Sequence, residues 1–222
     1  MIDPATSTRI TLRPIANALP LGLLALATAT LLVSGLQLRW LDPSQGRVVA
    51  LALLGFVFPA QLVTSIFGFL ARDVVAGTGM GILAGTWLSV GLATLTLPPG
   101  STSRALALML AIAAVAMLVP ASGAATGKLV PAAVLATTAI RFAVTAGYEW
   151  TAADGWRVTA GVVGVVLAAL AIYAALAMLL EDVQHRTVLP LLRRDGGASS
   201  VAGSLTDQVR RVEGEAGVRE QL

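Results

Sequence analysis

Several residue types are scarce or missing in this chain of 222 residues, and each absence excludes a class of site. Cysteine is absent, which excludes a disulfide framework, a thiol nucleophile and a zinc site with cysteine ligands. The single histidine, His185, lies in a charged stretch beyond the last apolar run, where it is a poor candidate for the base of a hydrolase triad. We therefore expect neither an enzyme nor a bound metal or cofactor.

Charged residues are also scarce, at 12% of the chain, whereas 56% of the residues are hydrophobic. A soluble domain has about 25% charged and about 45–50% apolar residues. The net charge is +3, but the arginines lie between apolar runs and do not cluster with aromatic residues as in a nucleic-acid binder. The composition therefore predicts an integral membrane protein, surrounded by lipid and without a nucleic-acid partner.

Six apolar runs approach or exceed the length of about 20 residues that a helix needs to cross a bilayer. They are Leu19 to Leu38, Val48 to Ala71, Val74 to Leu97, Ala105 to Val119, Leu129 to Trp150 and Val158 to Leu180. The fourth is the shortest, and it extends to Gly123 if Pro120 does not end it. Because no connection is long enough for a soluble domain, the sequence predicts an all-α membrane protein, a six-transmembrane-helix bundle.

The basic residues near the span ends predict the orientation, because lysine and arginine are more frequent on the cytoplasmic side. On the side of the N-terminus lie seven of them: Arg9, Arg13, Arg72, Lys128, Arg186, Arg193 and Arg194. On the opposite side lie four: Arg39, Arg47, Arg104 and Arg157. We expect a multi-pass protein of the cell (inner) membrane with both termini in the cytoplasm. Its parts are a cytosolic segment (1–16), a transmembrane domain (17–190) and a flexible cytosolic tail (191–222).

Small and hydroxyl-bearing residues are frequent inside the spans. Gly77, Gly81 and Gly85 share one helix face, and Gly161 and Gly164 begin the last span in a similar manner. Residues without bulky side chains at this spacing let helices approach closely, so we expect a packing role. Hydroxyls in a helix usually bond to carbonyls of that helix. We expect this of most of Thr28, Thr30, Thr64, Ser65, Thr86, Ser89 and Thr94.

The first span opens with Asn17-Ala18-Leu19-Pro20-Leu21-Gly22-Leu23. Asparagine caps free backbone amides and proline is favoured in the first turn, so the segment predicts a helix start. A helix N-terminus also attracts anions, through its dipole and its unpaired N–H groups. Ordinary capping and an anion site that faces a pore both stay open.

Arg141 lies about halfway along the fifth run. A charge at the bilayer centre costs about 2.5–3.5 kcal/mol on insertion scales, so such residues usually face the protein interior or water. One hypothesis is a fixed cation for a carboxylate, with Thr138, three residues earlier, on the same face. The alternatives are a structural pair with Glu149 or Asp73, and a side chain that extends to the membrane surface.

The opening motif resembles the N-P-A-P-L-G-L signature of the acetate uptake transporter family, also called the succinate–acetate permeases. The matching residues are Asn17, Pro20, Leu21, Gly22 and Leu23, whereas Ala18 and Leu19 replace the family's Pro and Ala. The last span resembles the family's last helix and tail, without a gap. There the matching residues are Gly161, Gly164, Ala171-Ile172-Tyr173 and Arg186-Thr187-Val188-Leu189-Pro190.

The resemblance implies a six-helix protomer, assembled as a homo-hexameric ring, with a solute path through each protomer. It implies that the solute is acetate or a related small monocarboxylate, in some members succinate, often linked to protons. At the narrowest point the family's Phe, Tyr and Leu are replaced by Leu26, a residue near Ala84 to Thr86, and Thr138, and Met178 replaces an acidic residue. The predicted substrate path comprises Asn17, Pro20, Leu21, Gly22, Leu23, Leu26, Ala84, Thr86, Thr138 and Arg141.

A transporter or channel for small carboxylates is thus the leading hypothesis. A channel for a small neutral solute such as urea, an amide or ammonia stays open, because the residues at the narrow point differ from those of the family. A non-transporting membrane scaffold of the same fold is the third hypothesis. In that case the tail from Arg193 to Leu222 would bind a partner.

Overall fold

Six long apolar helices make up the computed structural model, which describes residues 15–193. They are α1 (Leu19–Gln37), α2 (Pro43–Leu70), α3 (Val74–Thr96), α4 (Arg104–Ala125), α5 (Leu129–Thr151) and α6 (Asp154–Gln184). Within this range there is no β-strand, only an isolated bridge between Lys128 and Arg193. The fold class and all six spans are confirmed, and the chain is a multi-pass membrane protein. Residues 1–14 and most of the predicted tail (194–222) lie outside the described range.

Polar residues begin several of the helices. The Asp73 carboxylate accepts from the backbone N–H of Ala76 at 2.9 Å, and the Ser103 hydroxyl accepts from that of Leu106 at 3.3 Å. Both bonds satisfy amides that have no partner inside a helix, so they fix the starts of α3 and α4. These starts follow short connections, as the sequence predicts.

Two helices continue through a proline. In α2, residues Leu53–Val57 form a π-helical segment that ends two residues before Pro59. Proline lacks an N–H and clashes with the carbonyl four residues earlier, and a wider turn accommodates both effects. The fourth span likewise continues past Pro120 to Ala125, so this proline does not end it.

The helices pack closely where glycine was expected to permit it. A Cβ on Gly68 of α2 would lie 2.7 Å from the backbone nitrogen of Gly77 in α3. A Cβ on Gly81 would meet the Ser65 hydroxyl at 3.0 Å, whereas one on Gly85 would meet nothing within 4 Å. The first two glycines of the α3 stripe therefore serve the contact with α2, and Gly85 does not.

Most hydroxyls bond to their own helix, as expected. They are Thr28, Thr64, Thr86, Ser89 and Thr94, each to the carbonyl four residues earlier. Two differ from the expectation: Thr30 donates to the Gly164 carbonyl of α6 at 3.3 Å, and Ser65 to the Gly77 carbonyl of α3 at 2.7 Å. These two bonds join α1 to α6 and α2 to α3.

Three of the four tryptophans lie at one end of the bundle, where α1 and α5 end and α6 begins. Trp40, Trp150 and Trp156 are all exposed. Tryptophan is enriched at membrane–water interfaces. These three tryptophans therefore form part of an aromatic belt at one membrane boundary. Large apolar side chains cover the outer surface between this end of the bundle and the opposite end.

Candidate functional site

A cavity of about 350 Å³ opens at the end of the bundle where α1, α3 and α5 begin. Its polar lining comes from Asn17, Thr64, Asp73, Lys128 and Asp182. We call this cavity the vestibule. It collects charges of both signs at the boundary of an otherwise apolar bundle.

A second cavity, of about 200 Å³, shares Leu19, Asp73, Ala76 and Lys128 with the vestibule and extends into the bundle. We call it the chamber. Its deeper lining is apolar: Leu23, Met80, Val134, Leu135 and Met178. Polar and apolar compartments thus follow one another from the mouth inward.

The chamber ends about one helical turn before Leu26, which is 0% exposed and lines neither cavity. Farther along α3 and α5 lie the buried side chains of Trp87 and Phe142, whose rings meet edge to face at 5.9 Å between centroids. Thr138 is also fully buried, and its hydroxyl donates to the Val134 carbonyl at 2.8 Å. We call the level of Leu26 and Thr138 the neck.

The opening motif forms its helix start without leaving a free amide. The backbone N–H of Leu19 donates to the Asn17 side-chain oxygen at 3.1 Å. The backbone N–H groups of Leu21 and Gly22 donate to the Ala18 carbonyl at 3.2 and 3.4 Å, and Pro20 has no N–H group. The geometry favours the capping interpretation, since these bonds already use the first N–H groups of α1.

Gly22 lies where α1, α2 and α3 meet, next to the chamber residue Leu23. A Cβ at this position would lie 2.6 Å from the Met80 sulfur and 2.8 Å from Cγ2 of Thr64. The Thr64 hydroxyl in turn donates to the Ala18 carbonyl at 3.3 Å. The motif's glycine is thus required by close packing beside the cavities.

Lys128 is the cation nearest to both cavities, and it is the only lysine of the chain. It lies just before α5, half-buried. Burial lowers the pKa of its ammonium group and the charge of Arg193 lowers it further, while Asp73, Glu181 and Asp182 act in the opposite direction. From the sequence, Lys128 was only an orientation signal, and its role at the mouth was missed.

Arg141 is 1% exposed and contacts hydroxyls of two helices. Its Nε donates to the Thr30 hydroxyl of α1 at 3.4 Å, and its Nη1 to the Thr145 hydroxyl of α5 at 2.8 Å. The predicted pair with Glu149 or Asp73 is wrong, because Glu149 accepts from the Ser103 amide and Asp73 caps α3. Burial also excludes a side chain that extends to the membrane surface.

The comparisons with known proteins agree with this architecture. A model of the GPR1/FUN34/yaaH family matches residues 2–193. The chain belongs to the GPR1/FUN34/yaaH family. This confirms the resemblance to the acetate uptake transporter family.

Among solved structures, this family member resembles one titled "Structure of the bacterial acetate channel SatP". The TM-score is 0.71 and the identity 22%, over 79% of this chain and 98% of that chain. At this identity the likeness establishes the fold alone. No curated protein matches the chain.

The second motif of this GPR1/FUN34/yaaH family member has a structural role. The Tyr173 hydroxyl donates to the Pro190 carbonyl at 2.9 Å, and the next residue, Leu191, is buried. The carbonyls of Leu191 and Leu192 then accept from the amides of Val130 and Leu129. Residues 191–193, which the sequence analysis assigned to the tail, therefore cap the start of α5 beside the vestibule.

Of the residues predicted for the path, Asn17 lines the vestibule and Leu23 the chamber. Leu21 is 42% exposed on the outer surface. Pro20, Gly22, Ala84, Thr86 and Arg141 are buried and line neither cavity. Met80 and Lys128 were not predicted for the path, and Met178 was noted only as the replacement of an acidic residue.

Proposed function

We propose that this protein passes acetate and related small monocarboxylates across the cell membrane, by a path inside each protomer. The observation that carries the proposal is the order of the compartments from the mouth inward: the polar vestibule, the apolar chamber and then the fully buried residues of the neck. The family and the fold shared with a protein titled as an acetate channel support the same conclusion. The proposed path includes Asn17, Leu23, Leu26 and Thr138, with Lys128 added at the mouth.

The compartments suit the two ends of acetate. Lys128 provides a positive charge for the carboxylate at the mouth, and Asp73 and Asp182 beside it weaken the attraction, so that the solute is not held. The apolar walls of the chamber accommodate the methyl group. Removing water from the neutral acid at the neck costs less free energy than removing it from the anion. This difference favours movement of acetate together with a proton.

Orientation and assembly belong to the same proposal. The vestibule faces the cytoplasm if the positive-inside rule applies to this chain. The ring of six copies implied by the resemblance would place one path in each protomer. Particle masses of the detergent-solubilised protein test the hexamer, and any other dominant species contradicts it.

Bulky substitution at the neck tests the path. We expect Leu26→Trp to reduce the uptake of radiolabelled acetate into proteoliposomes at least tenfold, because indole has no space at a fully buried position. The matched control is Leu24→Trp, two residues away on the outer surface and 44% exposed. Equal uptake by the two variants would contradict a path through the neck.

Urea uptake by the same vesicles distinguishes the second function, a channel for small neutral solutes. The apolar lining of the chamber is compatible with it, since nothing there requires a charge. Uptake of urea but not of acetate would replace the proposal by that function. Absence of both would support the non-transporting scaffold.

A further inference from the structure

Beyond the neck, Arg141 lies in a group of polar residues that neither cavity reaches. Thr30 is four residues past Leu26 in α1, or roughly 6 Å along the helix axis. The Thr30 hydroxyl accepts from Arg141 Nε and donates to the Gly164 carbonyl of α6. Three helices therefore meet around one guanidinium group.

No carboxylate balances this charge within residues 15–193. The acidic residues there are Asp42, Asp73, Glu149, Asp154, Glu181 and Asp182, and all lie at or near helix ends. The nearest along α5, Glu149, is eight residues from Arg141, or roughly 12 Å along the axis. A buried charge without a counter-ion is strongly unfavourable, so the site is suited to an anion from outside the chain.

A second polar group beside Arg141 has no hydrogen-bond partner among the described residues. The Ser34 side chain is 0% exposed, and its hydroxyl makes no hydrogen bond to any described residue. A Cβ built on Gly164 would lie 2.0 Å from this hydroxyl and 2.7 Å from Arg141 Nε. Because Gly164 has no side chain, the Ser34 hydroxyl and the Arg141 guanidinium group come together in the space that a Cβ would fill.

We infer that Arg141, Ser34 and Gly164 form a binding site for a small monovalent anion, such as a carboxylate or a halide. The guanidinium group provides the charge and directed N–H donors, the serine hydroxyl provides one further donor, and the missing side chain at Gly164 lets these two groups come together. The inference deepens the proposed function. The identification of acetate as the bound anion rests on the proposed function, whereas the anion site itself does not. The site would hold the ionised solute after it passes the neck.

Thermal unfolding of the purified protein in detergent tests the site directly. The anions are sodium acetate and sodium chloride, acetamide is the neutral analogue of acetate, and sodium gluconate keeps the ionic strength constant. A ligand that binds only the folded state raises the melting temperature. We expect a saturable rise with acetate or chloride and none with acetamide.

Substitutions assign the effect to these residues. Arg141→Gln should abolish the rise, and Ser34→Ala should weaken the apparent affinity about threefold to tenfold, the effect of one lost hydrogen bond. Gly164→Ala should abolish it, because the added Cβ would displace both the Ser34 hydroxyl and the Arg141 guanidinium group. Gly85→Ala is the matched control, since its Cβ would meet nothing within 4 Å. If Arg141→Gln does not fold, Ser34→Ala and Gly164→Ala give the answer.

The outcomes separate this inference from the proposed function. An anion-dependent rise that persists in Arg141→Gln or Gly164→Ala overturns the inference, as does the absence of any rise in the wild type. Acetate uptake without a rise leaves the proposed function intact. A rise without acetate uptake supports the anion site and contradicts transport.

Discussion

The opening motif allows a prediction whose size follows from the packing. Ala at position 22 would place its Cβ 2.6 Å from the Met80 sulfur and 2.8 Å from Cγ2 of Thr64. Met80 is flexible, but Thr64 is β-branched, and its hydroxyl bonds to the Ala18 and Ala60 carbonyls. Overpacking of this kind costs about 1–3 kcal/mol.

An opposing gain comes from the backbone, because Gly in a helix is about 0.5–1 kcal/mol less favourable than Ala. For Gly22→Ala the net loss is therefore about 0.5–2 kcal/mol. At about 2–4 °C per kcal/mol for a chain of this length, the melting temperature falls by about 1–8 °C. The Met80 side chain forms part of the chamber wall, so acetate uptake should fall as well.

Tryptophan fluorescence during heating in detergent measures this shift. Gly85→Ala gains the same stabilisation of about 0.5–1 kcal/mol from replacing Gly by Ala in a helix. Its Cβ would meet no neighbouring atom, so its melting temperature should stay equal to that of the wild type or rise. If Gly22→Ala behaves like Gly85→Ala, the close contact among α1, α2 and α3 is not as described, and the packing explanation of the motif fails.

Three further predictions concern the mouth. Because the pKa of Lys128 is lowered on folding, the unfolded chain binds this proton more tightly, so the unfolding free energy should rise with pH from the lowered pKa up to the ordinary one. Lys128→Met should lack this rise, and an unchanged pH profile would argue against the lowered pKa. A membrane-impermeant amine reagent should modify Lys128, the only lysine, in inverted vesicles and not in intact cells. The reverse pattern would contradict the predicted orientation. Tyr173→Phe removes the bond to the Pro190 carbonyl, so hydrogen exchange at the Val130 amide, which donates to the Leu191 carbonyl, should accelerate by about threefold to tenfold. Unaltered exchange would show that the bond does not hold this segment.

Hydropathy alone was sufficient for the six spans, because a helix in lipid must be apolar over a fixed length. Pro120 left the end of the fourth span open, and the structure places it at Ala125. The π-helical segment Leu53–Val57 has no such signal. It depends on how the backbone adapts to a proline inside a span, which composition does not show.

The site was less predictable, since it is made of contacts between helices that are distant in the chain. Asn17 and Leu23 were found from the motif. Lys128 and Met80 line the cavities only because α1, α3 and α5 begin at the same end of the bundle. Arg141 was conspicuous in the sequence, but its contacts with Thr30 and its proximity to Gly164 required the packing of three helices.

The most direct measurement is the initial rate of radiolabelled acetate uptake by wild-type proteoliposomes, with and without an inward proton gradient, beside empty vesicles and labelled urea. The account predicts saturable acetate uptake well above that of empty vesicles, faster with the gradient, and no corresponding uptake of urea. Acetate uptake equal to that of empty vesicles under both conditions would contradict it.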